Sequence, residues 1–229
     1  MRVFDPEVFV QEVRAAASTA DPIGAVQDVV ASVIVDGAAI NSVLGTDLKP
    51  ENETLLSSDR LTIQRIIWPA GLRSSPHEHR MWAVVGVYAG EELNRLYRRA
   101  PDGLAEASAQ SVSEQEVFVL DSNAIHSVEN PAREWTAGLH VYGGDIVNIE
   151  RSAWGPDGRE VPFSKNRDAH RAMWKPMRDL AREHGLRIDG DARYLAFVAL
   201  SAFCEREHRY ATSAEARAVV ADAWNLSSR

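Results

Sequence analysis

The chain of 229 residues has one cysteine, Cys204, so neither an internal disulfide nor a cysteine-built metal centre is open to it. It has no run of about 18 apolar residues, which removes a membrane-spanning helix. It also lacks a basic excess: 25 Lys and Arg stand against 33 Asp and Glu, a net charge of −8. Nucleic acids and anionic membranes both demand a basic footprint, so neither is an expected partner. The N-terminal stretch MRVFDPEVFVQEV lacks the basic-then-apolar order of a secretory signal, and the cytoplasm is the expected compartment. No repeat or low-complexity tract is present. What remains is a globular composition, 45% hydrophobic and 25% charged, with room for one substantial core or two small ones.

The apolar periodicity changes twice along the chain. Phe4, Val8, Val10, Val13 and Ala17 recur at roughly helical spacing after Asp5-Pro6, a cap and first-turn pair. A second helix is expected from Pro22 through Val29 and Val33 towards Leu44, with Gly37 as its weak point. The polar stretch LGTDLKPENETLLSS reads as a linker. From Leu61 to about Arg151 the period is two, in the runs LTIQRIIW, WAVVGVYA, LNRLYRR, EVFVL, HSVEN, WTAGLHVY and DIVNIERS, separated by Gly- and Pro-containing turns. Many short strands of this kind predict a barrel or sandwich. WGPDGREVP reads as a surface loop. The tail returns to helix, with AHRAMWKPMRDLAREHG ending at Gly185 and two further amphipathic runs after it. The expected organisation is a helical segment over 1–50, a β-barrel over 51–163 and a helical extension over 164–229.

The chemistry lies in the histidines. His77 and His79 flank a single residue at the entrance to an apolar run, with Gly71 before them and Gly90 after. Alternate side chains of a strand share a face, so two imidazoles at i and i+2 can point at one spot, as a metal site requires. His126 follows in DSNAIHSVENP, and His140 in AGLHVYGGD with Tyr142 two residues on. By contrast His170, His184 and His208 lie in the helical tail without ligand spacing.

Gly71-x5-His77-x-His79, then Gly90, then His126-x3-Asn130, resembles the paired signatures of the cupins, and the resemblance implies a mainly β fold: a double-stranded β-helix of the jelly-roll type, here with helices on both sides. Two places depart from the pattern. Ala83 and Val84 stand where the first signature has a glutamate, and Asp121-Ser122-Asn123 replaces the usual Pro-x-Gly. Within the cupins, a site without that glutamate, with HSVENP around the third histidine and a GLHVY strand after it, looks like the thiol dioxygenase family, which includes cysteine dioxygenase.

That likeness implies His77, His79 and His126 as ligands of Fe(II), with small-molecule substrate and dioxygen as partners and a thiol oxidised to a sulfinate. Three neutral imidazoles leave the metal its full charge and open positions for an anionic thiolate. The family's Ser-His-Tyr set falls on Gly138, His140 and Tyr142: the histidine and tyrosine are kept as outer hydrogen-bonding groups, the serine is missing, and His140 also stands as a possible fourth ligand. The arginine that cysteine dioxygenase uses on its substrate's carboxylate falls on Glu51, so Arg60, Arg65 and Arg73 are the replacement candidates, Arg65 having the best strand placement. Arg65, Arg73 and Trp82 are the expected substrate contacts. Cysteine itself is therefore a poor first guess for the substrate. Two other readings stay open: a cupin metalloenzyme with other chemistry, such as oxidative carbon–carbon cleavage of a diketone-like substrate, and a non-catalytic ligand-binding cupin.

Overall fold

Asp5 starts the first helix as its sequence predicts. In the computed structural model, which describes residues 3–45, 52–188 and 190–226, its carboxylate accepts from the backbone N–H groups of Glu7 and Val8 at 2.9 and 3.2 Å, opening helix α1, Pro6–Ala16. Phe4 packs back onto Phe9 with ring centroids 5.9 Å apart, an apolar staple across the cap. That contact fixes which face is buried: Phe9, Val13 and Ala16 point inward, and Val8 is 42% exposed, one residue off the expected stripe.

The expected second helix is two helices. Helix α2, Pro22–Ile34, and helix α3, Gly37–Leu44, meet at a bend of 84°. Asp36 caps the second by accepting from Ala39 N–H at 3.0 Å. Gly37 is required here for space. A Cβ on it would lie 2.2 Å from the Tyr88 carbonyl oxygen, so only glycine lets this helix approach the sheet so closely.

Eleven strands follow among the described residues: β1 Glu53–Ser57, β2 Thr62–Trp68, β3 His77–Glu78, β4 Ala83–Ala89, β5 Glu91–Ala100, β6 Gly103–Ser113, β7 Val117–Leu120, β8 Ile125–Glu129, β9 Thr136–Tyr142, β10 Ser152–Trp154 and β11 Glu160–Pro162. They form two antiparallel sheets, ordered β1-β2-β9-β4-β7 and β11-β10-β3-β8-β5-β6. The chain passes repeatedly from one sheet to the other, which gives the double-stranded β-helix expected from the histidine signatures. Helices α1–α3 cover the outer face of the first sheet, where Phe9, Val13, Val26, Val30 and Ile34 pack on Ile63, Val84, Leu139 and Val141.

Several sequence expectations need correction. The linker stretch contains β1. Strand β6 was hidden because its AEASAQS core is small and polar, and the strand is largely exposed. DIVNIERS is not a strand: Asp145 accepts from the N–H groups of Val147 and Asn148, which holds a turn, and extended backbone resumes only at Ser152. WGPDGREVP is the hairpin joining β10 to β11.

The tail forms helices α4 Phe163–His184, α5 Gly190–Glu207 and α6 Ser213–Ala223. Gly185 ends α4 in the left-handed conformation at φ 65°, as its position suggests. These helices share their own core of Met173, Leu180, Phe197, Leu200 and Val220, with Cys204 buried among them. Among the described residues no single helix is long and apolar enough to cross a membrane.

Candidate metal centre

His77 and His126 are directly opposed across the antiparallel pair β3–β8, so sequence neighbours of neither bring them together; the sheet does. His79 follows just past the end of β3. At Arg80 the backbone turns left-handed, φ 59°, with the side chain held by Glu78 Oε1 at 2.7 Å, and the chain crosses to the other sheet as β4. His77, His79, Met81 and Ala83 are therefore not on one strand as the spacing suggests. Ala83 still faces the barrel interior, opposite Tyr142 on β9, and packs with Met81, Val85 and Tyr142. Its methyl group offers no ligand. Glu78 points outward to Arg80 and Arg99.

The three imidazoles converge through Nε2. His79 Nε2 lies 3.3 Å from His77 Nε2 and 3.2 Å from His126 Nε2. The opposite nitrogens are anchored: His77 Nδ1 donates to the Ser75 carbonyl at 2.9 Å, and His126 Nδ1 to Asn94 Oδ1 at 3.0 Å. Those two anchors leave the Nε2 atoms of His77 and His126 as bare lone pairs. His79 has a proton for one of them at most, so at least one lone pair is left without a partner. A metal cation would meet all three nitrogens at once. Imidazole nitrogens about 2.0–2.1 Å from one ion lie about 3.3–3.4 Å apart at tetrahedral angles and about 2.8–3.0 Å apart at octahedral ones, and the contacts found fall close to the tetrahedral value. The residues fit a metal ion held by His77, His79 and His126. Burial holds His77 down at about 3 and drives His79 and His126 well below the usual histidine range, the Arg151 charge adding to each, so all three present the neutral form a metal needs.

His140 and Tyr142 stand beside this cluster on the inner face of β9. The Tyr142 ring meets His79 edge-on at 5.1 Å, and its hydroxyl lies 3.3 Å from His140 Nδ1. His140 is not one of the converging three. Burial alone pushes it to about 3, and burial as the largest of several causes, with the Arg151 charge opposing it, lifts Tyr142 above its ordinary value, so both are neutral hydrogen-bonding groups.

The expected substrate contacts are elsewhere. Strand β2 pairs with β9 so that Thr62, Gln64 and Ile66 share the face of Tyr142, His140 and Gly138, while Arg65 shares the outer face with Ile63 and Leu139. Its guanidinium bonds Tyr88 Oη at 2.7 Å, Leu44 O at 3.0 Å, Glu53 at 3.2 Å and the Gly45 carbonyl. Arg73 ties the barrel to α5 through Glu205 at 2.6 Å. Arg60 is exposed in a turn, and Glu51 lies outside the described residues. Trp82 packs with the outer core, against Gly143. The outward face of Arg65 follows from strand parity, which a one-residue slip inverts.

Two residues that the sequence reasoning missed face the centre. Arg151 is 8% exposed, its guanidinium stacked 3.3 Å over the Phe163 ring, which itself lies 5.6 Å from His77. Nη1 donates to the Glu78 carbonyl at 3.3 Å, and Arg151 makes no ion pair among the described residues. Burial depresses it to about 10. Glu92 is wholly buried on β5, two residues before Asn94 on the same inward face. That parity was the available signal for Glu92; Arg151 carried none, because its run was read as a strand.

No family model matches the chain. Among solved structures it is similar to an RmlC-like cupin family protein with a double-stranded beta-helix fold from Methanocaldococcus jannaschii, 14% identical over 44% of this chain and 89% of that one, TM-score 0.36. It is likewise similar to a cupin superfamily protein from Desulfitobacterium hafniense, 14% identical over 48% and 87%, TM-score 0.37, and to the cupin domain of Schizosaccharomyces pombe Cnp3, 13% identical over 46% and 68%, TM-score 0.37. The fold rests on the strand order above, and these likenesses carry nothing about activity.

Proposed function

We propose that the chain is a non-heme Fe(II) dioxygenase that oxidises a small anionic thiol to its sulfinate. The observation that carries this reading is the ligand set: three neutral imidazoles, with Ala83 where a fourth, anionic ligand would stand. Bound there, Fe(II) would supply open positions at which a thiolate and dioxygen meet. The overall change balances as R–S⁻ + O2 → R–SO2⁻, with no further reductant.

The chain's own groups have separable tasks. His77, His79 and His126 bring no charge, so the substrate's thiolate is the neutralising anion. Arg151, buried beside the cluster without a carboxylate partner, receives a carboxylate or sulfonate at the substrate's other end. Phe163 holds that guanidinium flat and closes the site towards α4. Tyr142 offers its hydroxyl next to His79, and the closed walls of Met81, Val85, Phe118 and Ile146 exclude water and favour a small substrate.

The test is oxygen uptake by protein loaded anaerobically with Fe(II), offered small thiols with and without an acidic group, and matched diketones. Uptake coupled to sulfinate with an acidic thiol is expected. Uptake with a diketone alone, or none despite tightly held iron, overturns the reading.

A further inference from the structure

Among the described residues eight buried side-chain N or O atoms lack a partner at full hydrogen-bond geometry, and five of them are both carboxyl oxygens of Glu92, Asn94 Nδ2, Trp68 Nε1 and His140 Nε2. These five belong to residues on the inward side of the barrel and gather around Glu92, towards which Trp68 and Asn94 turn their N–H groups. A carboxylate there would be a charge with no cation to meet: among the described residues no lysine or arginine pairs with it, and His140 Nε2 lies 3.9 Å from Oε1. The N–H groups of Trp68 and Asn94 do not offset the burial, which costs an ionised carboxylate on the order of several kcal/mol in such surroundings. The neutral acid avoids that cost and carries one proton to give.

His140 Nε2 is the acceptor it faces. The separation is about 1 Å beyond a hydrogen bond, and the broad terminal torsion of a glutamate spans it. Gly138 keeps that approach open. A Cβ at this position would lie 3.0 Å from His140 Nε2 and 3.2 Å from the Gly86 carbonyl, so a side chain there would occupy the space beside the ring nitrogen. On the other side of the ring, Nδ1 faces the Tyr142 hydroxyl at 3.3 Å.

We propose that Glu92, as a neutral acid, positions His140: it donates its O–H to His140 Nε2, which fixes the Nδ1–H form and so turns the Tyr142 proton towards the three-histidine centre. The direction of the chain follows from the donor count. If Nε2 accepts, Nδ1 must donate, and it donates to the Tyr142 oxygen; the tyrosine's own proton then points away from His140, to the side where His79 stands. The absent serine of the Ser-His-Tyr pattern is thereby replaced by an acid from the opposite sheet. Burial also lifts the Glu92 carboxyl to about 8, which agrees with a proton retained at neutral pH. The role in turnover rests on the proposed thiol oxidation; the hydrogen-bond direction does not.

The experiment is long-range proton–nitrogen NMR of the Zn(II)-loaded protein, labelled at its histidines, with His140 assigned by loss of its signals in His140→Gln. His140 should carry its proton on Nδ1 in the native protein and in Glu92→Gln, whose amide N–H replaces the acid as donor, and should shift to Nε2–H or a mixture in Glu92→Leu. An infrared band of a protonated carboxyl should vanish in Glu92→Gln. In thiol-dependent oxygen uptake, Glu92→Leu should lower kcat about 100-fold with KM unchanged, and Glu92→Gln should restore most of it. A native His140 protonated on Nε2, an ionised Glu92, or a tautomer unmoved in Glu92→Leu overturns the proposal. Should Glu92→Leu not fold, the native tautomer and the infrared band decide it alone. Absent uptake with the expected tautomers would sink the dioxygenase reading and leave this one standing.

Discussion

Arg65 and Arg151 are both buried arginines on barrel strands or their margins, and they do opposite things. Arg65 lies on the outer face of the first sheet, between the strands and α3, and its fork is used up by Tyr88, Glu53 and two backbone carbonyls. Arg151 lies at the inner end of the barrel, with one long bond to a carbonyl and a phenylalanine ring beneath it. Burial with every donor nitrogen engaged builds the fold; burial with nitrogens to spare prepares a place for something else. The same contrast runs through the two faces of β9. Its outer residues Ala137, Leu139 and Val141 are apolar and packed against helices, and its inner residues His140 and Tyr142 belong to a polar set with atoms left over.

The largest effect should come from the inner set. His126→Ala removes one of three converging imidazoles and should abolish metal retention and turnover, more than a thousandfold in rate, while it melts near the temperature of the native protein stripped of its metal; metal content and a calorimetric scan check both halves. Metal retained at full stoichiometry would break the contrast at its root. Tyr142→Phe should come next. It keeps the ring against His79 and loses only the hydroxyl, so iron content should hold while kcat falls about 100-fold.

The two arginines can then be set directly against each other. Arg65→Met leaves Tyr88, Glu53 and two carbonyls without their donor and should destabilise the protein by about 3 kcal/mol in denaturant unfolding, with KM unchanged in what remains folded. Arg151→Met should leave stability near the native value, because it removes a buried charge that has no counter-ion, and should raise KM for an acidic thiol at least about tenfold. Equal stability losses in the two variants would erase the distinction.

How much of this was legible beforehand follows the same line. The three converging histidines and the His140–Tyr142 pair could be picked out because their i, i+2 spacing and their order are local facts, although His79 lies past the end of β3 and not on one strand with His77. The N-cap of α1 and the end of α4 at Gly185 were local too. Arg65 was misread because parity alone does not say which face of a two-sided strand is inside; both faces of β2 are buried, one under helices. Arg151 and Glu92 enter the site through sheet crossings and register, which single-sequence spacing does not contain. Strand β6 escaped because it has almost nothing apolar to alternate.

The smallest expected effect separates the barrel histidines from the one in the helical tail. His170 is buried against Trp174, whose Nε1 donates to its ring at 3.0 Å, and burial lowers it to about 4. His77 and His140 are lowered to about 3. In each case the unfolded chain, near 6.5, binds a proton more readily than the folded one, so stability is full above about pH 6.5 and is lost as pH falls towards 4 and then 3. Metal bound at the three ligands blocks their protonation until it dissociates, and so should shift the acid transition of the barrel downward. It does nothing for His170, which no cluster shares. His170→Phe should therefore move the acid midpoint down by about 0.5 pH unit in the metal-loaded protein, where the tail is the first part to yield. The measurement is circular dichroism against pH with and without Zn(II). A midpoint that ignores the metal would mean that the barrel histidines, too, are buried only for structure.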